Sequence, residues 1–138
     1  MSIEEENKAL VRYYYQLINQ KKIDATYEHY APECIFHMPS GDLSVREGRE
    51  FDDMAFAAFP DLMYTIVGII AEGDTVACRV NVKGTNLGEM MSHPATGKKV
   101  EFNSSHWFRM ADNIIVEFWG FSDRLSLMQQ LGIVTESI

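Results

Sequence analysis

The chain has 138 residues, enough for one hydrophobic core and too few for two domains of ordinary size, so residues 1–138 are read as a single domain. A content of 46% apolar and 12% aromatic residues excludes a disordered chain and suits a fold with a lined cavity. A formal charge of −8 without any Lys/Arg run excludes nucleic acid and anionic membranes as partners, since both require a clustered cationic patch.

The N-terminus, MSIEEENKAL, is acidic and lacks the basic-then-apolar order of a secretory signal. No apolar stretch is long enough to span a bilayer, so a cytoplasmic location is expected. Ser2 followed by Glu5 has the form of a capping box, and Leu10, Val11, Tyr14, Leu17 and Ile18 recur at helical spacing up to Lys21 and Lys22, predicting a first amphipathic helix. A short second helix is predicted from Asp24, with Tyr27 and Tyr30 on its buried side and its end before Pro32. Ser44 with Glu47 repeats the capping pattern, and Phe51, Met54, Ala55, Ala58 and Phe59 form the apolar stripe of a third helix closed by Pro60.

Beyond Pro60 the period changes to two, predicting strands over 62–71, 75–84, 99–111 and 114–122. Glu72-Gly73-Asp74 and Asp112-Asn113 suit tight hairpins, so these strands are expected to form an antiparallel meander. The segment 86–98 is a longer link, and 124–131 before Gly132 reads as a short final helix. The expected fold class is α+β: a curved antiparallel sheet with three N-terminal helices on its concave side, a short C-terminal helix, and an apolar pocket between them.

Alternation places Val100, Phe102, Ser104, His106 and Phe108 on one face of their strand, and Glu117, Trp119, Phe121 and Asp123 on one face of the last. Asp123 admits two roles: an acid/base whose pKa is raised by Trp119 and Phe121, or the N-cap of the final helix. His106 reads as a core histidine or a catalyst, and His37 as a loop histidine or a pocket group. Cys34 and Cys78 read as free buried thiols. No local metal-ligand spacing, phosphate loop or nucleophile elbow appears, so neither metal nor cofactor is expected.

Three blocks carry a resemblance: YYYQLINQKKIDATYEHYAPECIFHMP, then AAFPDLMYTIVGIIAEGDTVACRVNVKGTNLGEMMSHPATGKKVEF, then HWFRMADNIIVEFWGFSD. In that order they resemble the SnoaL-like polyketide cyclases, of the fold superfamily shared with nuclear transport factor 2 and ketosteroid isomerase. The chain departs from the family pattern at Ser92, His93, Ala95 and Asn113, near the expected pocket mouth. The resemblance implies a cofactor-free intramolecular aldol closure with Asp123 as acid/base and His37 and His106 holding the substrate oxygen. It places Phe36, Met54, Trp107, Trp119, Tyr13 and Met90 around a small apolar molecule, and implies a homodimer through the sheet. The alternatives are a non-catalytic ligand-binding or interaction domain of the same fold, and an enzyme like ketosteroid isomerase or an epoxide hydrolase.

Overall fold

A computed structural model describes residues 1–134 of the chain. Ser2 caps α1 (Ile3–Asn19), its hydroxyl accepting from the Glu5 N–H at 3.1 Å, and the helix buries Val11, Tyr14, Tyr15, Leu17 and Ile18 along one stripe. A single turn, α2 (Ile23–Tyr27), follows, and the chain then becomes extended in β1 (Tyr30–Met38) and β2 (Gly41–Leu43). Tyr30 therefore lies on a strand and not on the second helix as the sequence predicts. Pro32 ends no helix; it sits inside β1 where the register against its neighbour shifts between Tyr30 and Ile35, a place where a missing N–H is tolerated.

The reciprocal capping box of Ser44 and Glu47 starts α3 (Val45–Ala58). Next come the predicted strands, β3 (Met63–Glu72), β4 (Thr75–Thr85), β5 (Lys99–Ala111) and β6 (Ile114–Ser122), and then α4 (Arg124–Gln130). The turn between β5 and β6 has Asp112 and Asn113 both at positive φ, the geometry that makes a two-residue hairpin follow the strand twist.

The sheet order is β2-β1-β6-β5-β4-β3. Strands β3 to β6 form the expected meander, but β1 adds to β6 in parallel, so the sheet is mixed. Register shifts in β1, β3 and β6 bend the strands and curve the sheet. Helices α1 and α3 lie on the concave side, α1 over β3 and β4 and α3 against β1. The core is the layer between them, with Val11, Tyr14, Tyr15 and Ile18 clustered with Val76, Val80, Phe108, Ile115 and Phe118. The link 86–98 is pinned by buried Asn86, whose amide accepts from the Thr96 N–H at 2.9 Å and donates to the Gly88 carbonyl at 2.9 Å.

Candidate active site

Alternation along β5 directs Ser104, His106 and Phe108 into the concave face, as the sequence predicts, and α1 brings Tyr15 over them. The Tyr15 hydroxyl bonds His106 Nδ1, and the two rings lie nearly parallel, 4° apart. On the other side of the imidazole, Nε2 is 2.9 Å from Ser104 Oγ, which is itself 2.9 Å from Ser122 Oγ. Cys78 Sγ sits 3.3 Å from the Tyr15 hydroxyl. Enclosure among Tyr15, Tyr64 and Phe118 pushes the His106 pKa down to about 4, because burial disfavours the imidazolium. Burial likewise raises the Tyr15 phenol well above its ordinary value, so at neutral pH both groups are uncharged.

A second polar group enters from α3. Only part of the predicted stripe faces the core: Ala55, Ala58 and Phe59 pack inward, but Phe51 and Met54 are 48% and 65% exposed. In the N-terminal half of α3 the inward face carries buried Gly48 with half-buried Asp52, and Ala55 continues it at i+7. A Cβ on Gly48 would meet the Phe36 ring at 2.4 Å, so the absence of a side chain there sets how closely α3 approaches β1. Tyr27 donates its hydroxyl to Asp52 Oδ2, and Tyr30 donates to Tyr14 at 2.7 Å. Burial raises the Asp52 pKa to about 6, with a smaller push from Asp53, against the Tyr27 hydrogen bond that favours the carboxylate. Asp52 was not among the residues expected from sequence. Its signal was the small–acid–small spacing Gly48, Asp52, Ala55, which lies on one helical face.

The expected constellation is not brought together. In β1, Phe36 takes the inner face, so alternation sends His37 to the outer one. There His37 lies between Asp42 Oδ1 at 2.8 Å and Glu117 Oε2 at 2.6 Å, stacked on Trp119, and these carboxylates raise its pKa. The Arg109 guanidinium holds Glu117 from the other side at 2.8 Å and, together with His37, keeps its carboxyl below the usual range. Asp123 is exposed at the start of α4 and accepts from the Ser126 N–H at 3.1 Å, the capping alternative.

Of the expected pocket wall, Phe36 is buried on the concave face and Met90 packs at the edge of the core. Trp107 and Trp119 pair with each other on the outer face, opposite His106, as strict alternation from His106 to Trp107 requires. Met54 is exposed on α3, and Tyr13 is exposed on α1 with its ring edge-on to His29. The inside of the cone is occupied by rings in mutual contact, Tyr14, Tyr30, Phe36, Phe108 and Phe118 among them. Two shallow depressions lie outside it: one of about 270 Å³ over Pro32 to Ile35 and Asp42 to Ser44, and one of about 420 Å³ beside Asp61, Lys83 and Gln130. Among the described residues, no group of three or more His, Cys, Asp or Glu side chains is arranged to hold a metal ion, and no helix is long and apolar enough to cross a membrane.

Residues 8–131 match the model of the SnoaL-like polyketide cyclases. AclR, a proposed hydroxylase from Streptomyces galilaeus, superposes with a TM-score of 0.91 at 27% identity, over 98% of this chain and 86% of its own. IdmH, a proposed polyketide cyclase from Streptomyces antibioticus, gives 0.83 at 27% identity over 91% and 98%. A proposed polyketide cyclase from Acidithiobacillus ferrooxidans gives 0.81 at 28% identity over 96% and 98%. No curated protein matches the chain.

Proposed function

This chain belongs to the SnoaL-like polyketide cyclase family, and from that premise we propose that it is a cofactor-independent acid/base enzyme acting on a small apolar carbonyl compound, with intramolecular aldol ring closure as its reaction. The observation that carries the reading is His106, an imidazole kept neutral on the concave face between the Tyr15 phenol and the Ser104 hydroxyl. Aldol closure develops negative charge on a carbonyl oxygen as the neighbouring C–H bond breaks, and fixed neutral donors in a dry site stabilise that charge. The row Ser122–Ser104–His106–Tyr15 can run in one hydrogen-bond direction, with Ser104 donating to Nε2 and Nδ1–H donating to the Tyr15 oxygen. The Tyr15 O–H, whose other neighbour is the weakly accepting Cys78 sulfur at 3.3 Å, can then turn to an enolate, strengthened by the chain behind it.

Proton exchange at the benzylic α-carbon of 2-tetralone in D2O, followed by proton NMR, tests this. The wild type is expected to exceed buffer, and His106→Phe to lose on the order of 10²–10³ of that rate. An undiminished variant, or a wild type no faster than buffer, overturns the reading.

The filled cone favours a second reading, a non-catalytic binding domain, because Phe36, Phe108 and Phe118 occupy the space a substrate needs. Saturable binding of 2-naphthol without any exchange of 2-tetralone is the result that selects it. In either case we propose a second copy of this chain as partner for the outer sheet face, where Ile70, Ala77, Trp107, Trp119 and His37 lie in register across five strands. Flanking charges of both signs, Arg109 and Glu117, make such a face self-complementary across a twofold axis.

A further inference from the structure

We propose that Asp52 is the catalytic base of this site, the carboxylate that removes the α-proton of the carbonyl substrate; this rests on the acid/base reading above. Asp52 lies on the inward face of α3, and its Oδ2 accepts the Tyr27 hydroxyl, leaving the second oxygen for another partner. The groups facing it come from every element around it: Tyr14 of α1, Tyr27 of α2, Tyr30 of β1 and Tyr64 of β3 each feel its charge, and Asp53 is its neighbour on α3.

Among the described residues no cation compensates it. Among the described residues Asp52 forms no ion pair, and the nearby Arg49 is committed to Asp24 and to the face of the Tyr27 ring, 5.7 Å from its centroid. A purely structural position in such surroundings is better filled by a neutral side chain, since an unpaired carboxylate among rings is costly to keep. The same surroundings suit a base, whose strength rises as its charged form loses solvation. Asp52 keeps partial exposure, so it stands at the edge of the cone and not sealed within it.

The base and the oxyanion donors are joined by a wall of rings. Tyr27 stacks on Phe36 at 6.3 Å, Phe36 meets Phe118 at 5.3 Å, and Phe118 meets His106 at 5.3 Å. These rings fill the cone, so a planar apolar substrate must part them before its α-carbon meets Asp52 and its carbonyl oxygen meets Tyr15. The C–H bond breaks, the proton goes to Asp52 and the electron pair to the carbonyl oxygen as an enolate. The enolate carbon then attacks the second carbonyl, one C–C bond forms, and the new alkoxide takes the proton back from Asp52. Nothing is oxidised or reduced.

The same 2-tetralone exchange tests the assignment, with rates recorded from pH 4.5 to 8. Because ionised Asp52 is the active form, the wild-type rate is expected to rise with pH through a midpoint near 6. Asp52→Asn, which keeps a partner for Tyr27, should lose 10²-fold or more and abolish the midpoint. Tyr27→Phe removes the hydrogen bond that favours the carboxylate and should move the midpoint to higher pH. A D52N variant that exchanges at the wild-type rate with the same pH profile overturns the assignment and leaves the acid/base reading standing. A wild type no faster than buffer removes both.

Discussion

The Asp123 carboxyl caps α4 through the Ser126 N–H, and the two roles the sequence left open for it separate in one pair of variants. Asp123→Ala removes the cap and should lower stability by about 1 kcal/mol, read from urea unfolding, while Asp123→Asn caps as well and should leave the midpoint unchanged. In the tetralone assay Asp123→Asn is expected to keep wild-type exchange, since the carboxyl faces solvent; a collapse of rate with intact stability would return it to the chemistry. His106 was legible because Ser104 and Phe108, two positions either side, must share its face. His37 was misread for the same reason in reverse. Taken as a loop residue it had no face, but Cys34, Phe36 and Met38 already alternate with Ile35 and His37, and that period assigns it to the outside. The choice between cap and acid for Asp123 was not legible, because it turns on one side-chain rotamer.

At the scale of elements, α3 shows what hydrophobicity alone does not tell. Its capping box, its end and its inward Ala55, Ala58 and Phe59 were read correctly, yet in its first half the inward face is Gly48 and Asp52 and not Phe51 and Met54. Close approach to the Phe36 ring requires glycine at position 48, so at that end of α3 size and not apolarity marks the inward side. Gly48→Ala should therefore destabilise the protein although alanine is the better helix former by about 1 kcal/mol. Phe36 is wedged between Tyr30 and Phe118 and yields little, so overpacking at about 1–3 kcal/mol outweighs the propensity gain. A lower urea midpoint with unchanged slope is the expected result, and a higher midpoint would show that α3 stands off β1 more loosely than the 2.4 Å approach implies. The four-strand meander was legible because its strands alternate and two of its three connections are short. The β1–β2 addition was not, because Pro32 reads as a helix end before it reads as a bulge.

At the scale of the whole molecule, the two sheet faces have divided the work: rings and uncharged polar groups inside, a tryptophan row with acid–base flanks outside. If a second copy covers the outer face, Trp107→Glu should yield monomers in sedimentation experiments, whereas Met54→Glu, on exposed α3, should not alter the assembly state. Monomeric wild type would remove the proposed partner. The parallel seam between β1 and β6 has a consequence for synthesis. His37 and Glu117 stand 80 positions apart, so the edge of the sheet that carries β1 and β2 has nothing to pair with until the last strand has left the ribosome. Until then Phe36 lacks its Phe118 neighbour and Tyr30 its Ile115 partner, so a chain cut short before residue 122 has no strand on which to close the sheet.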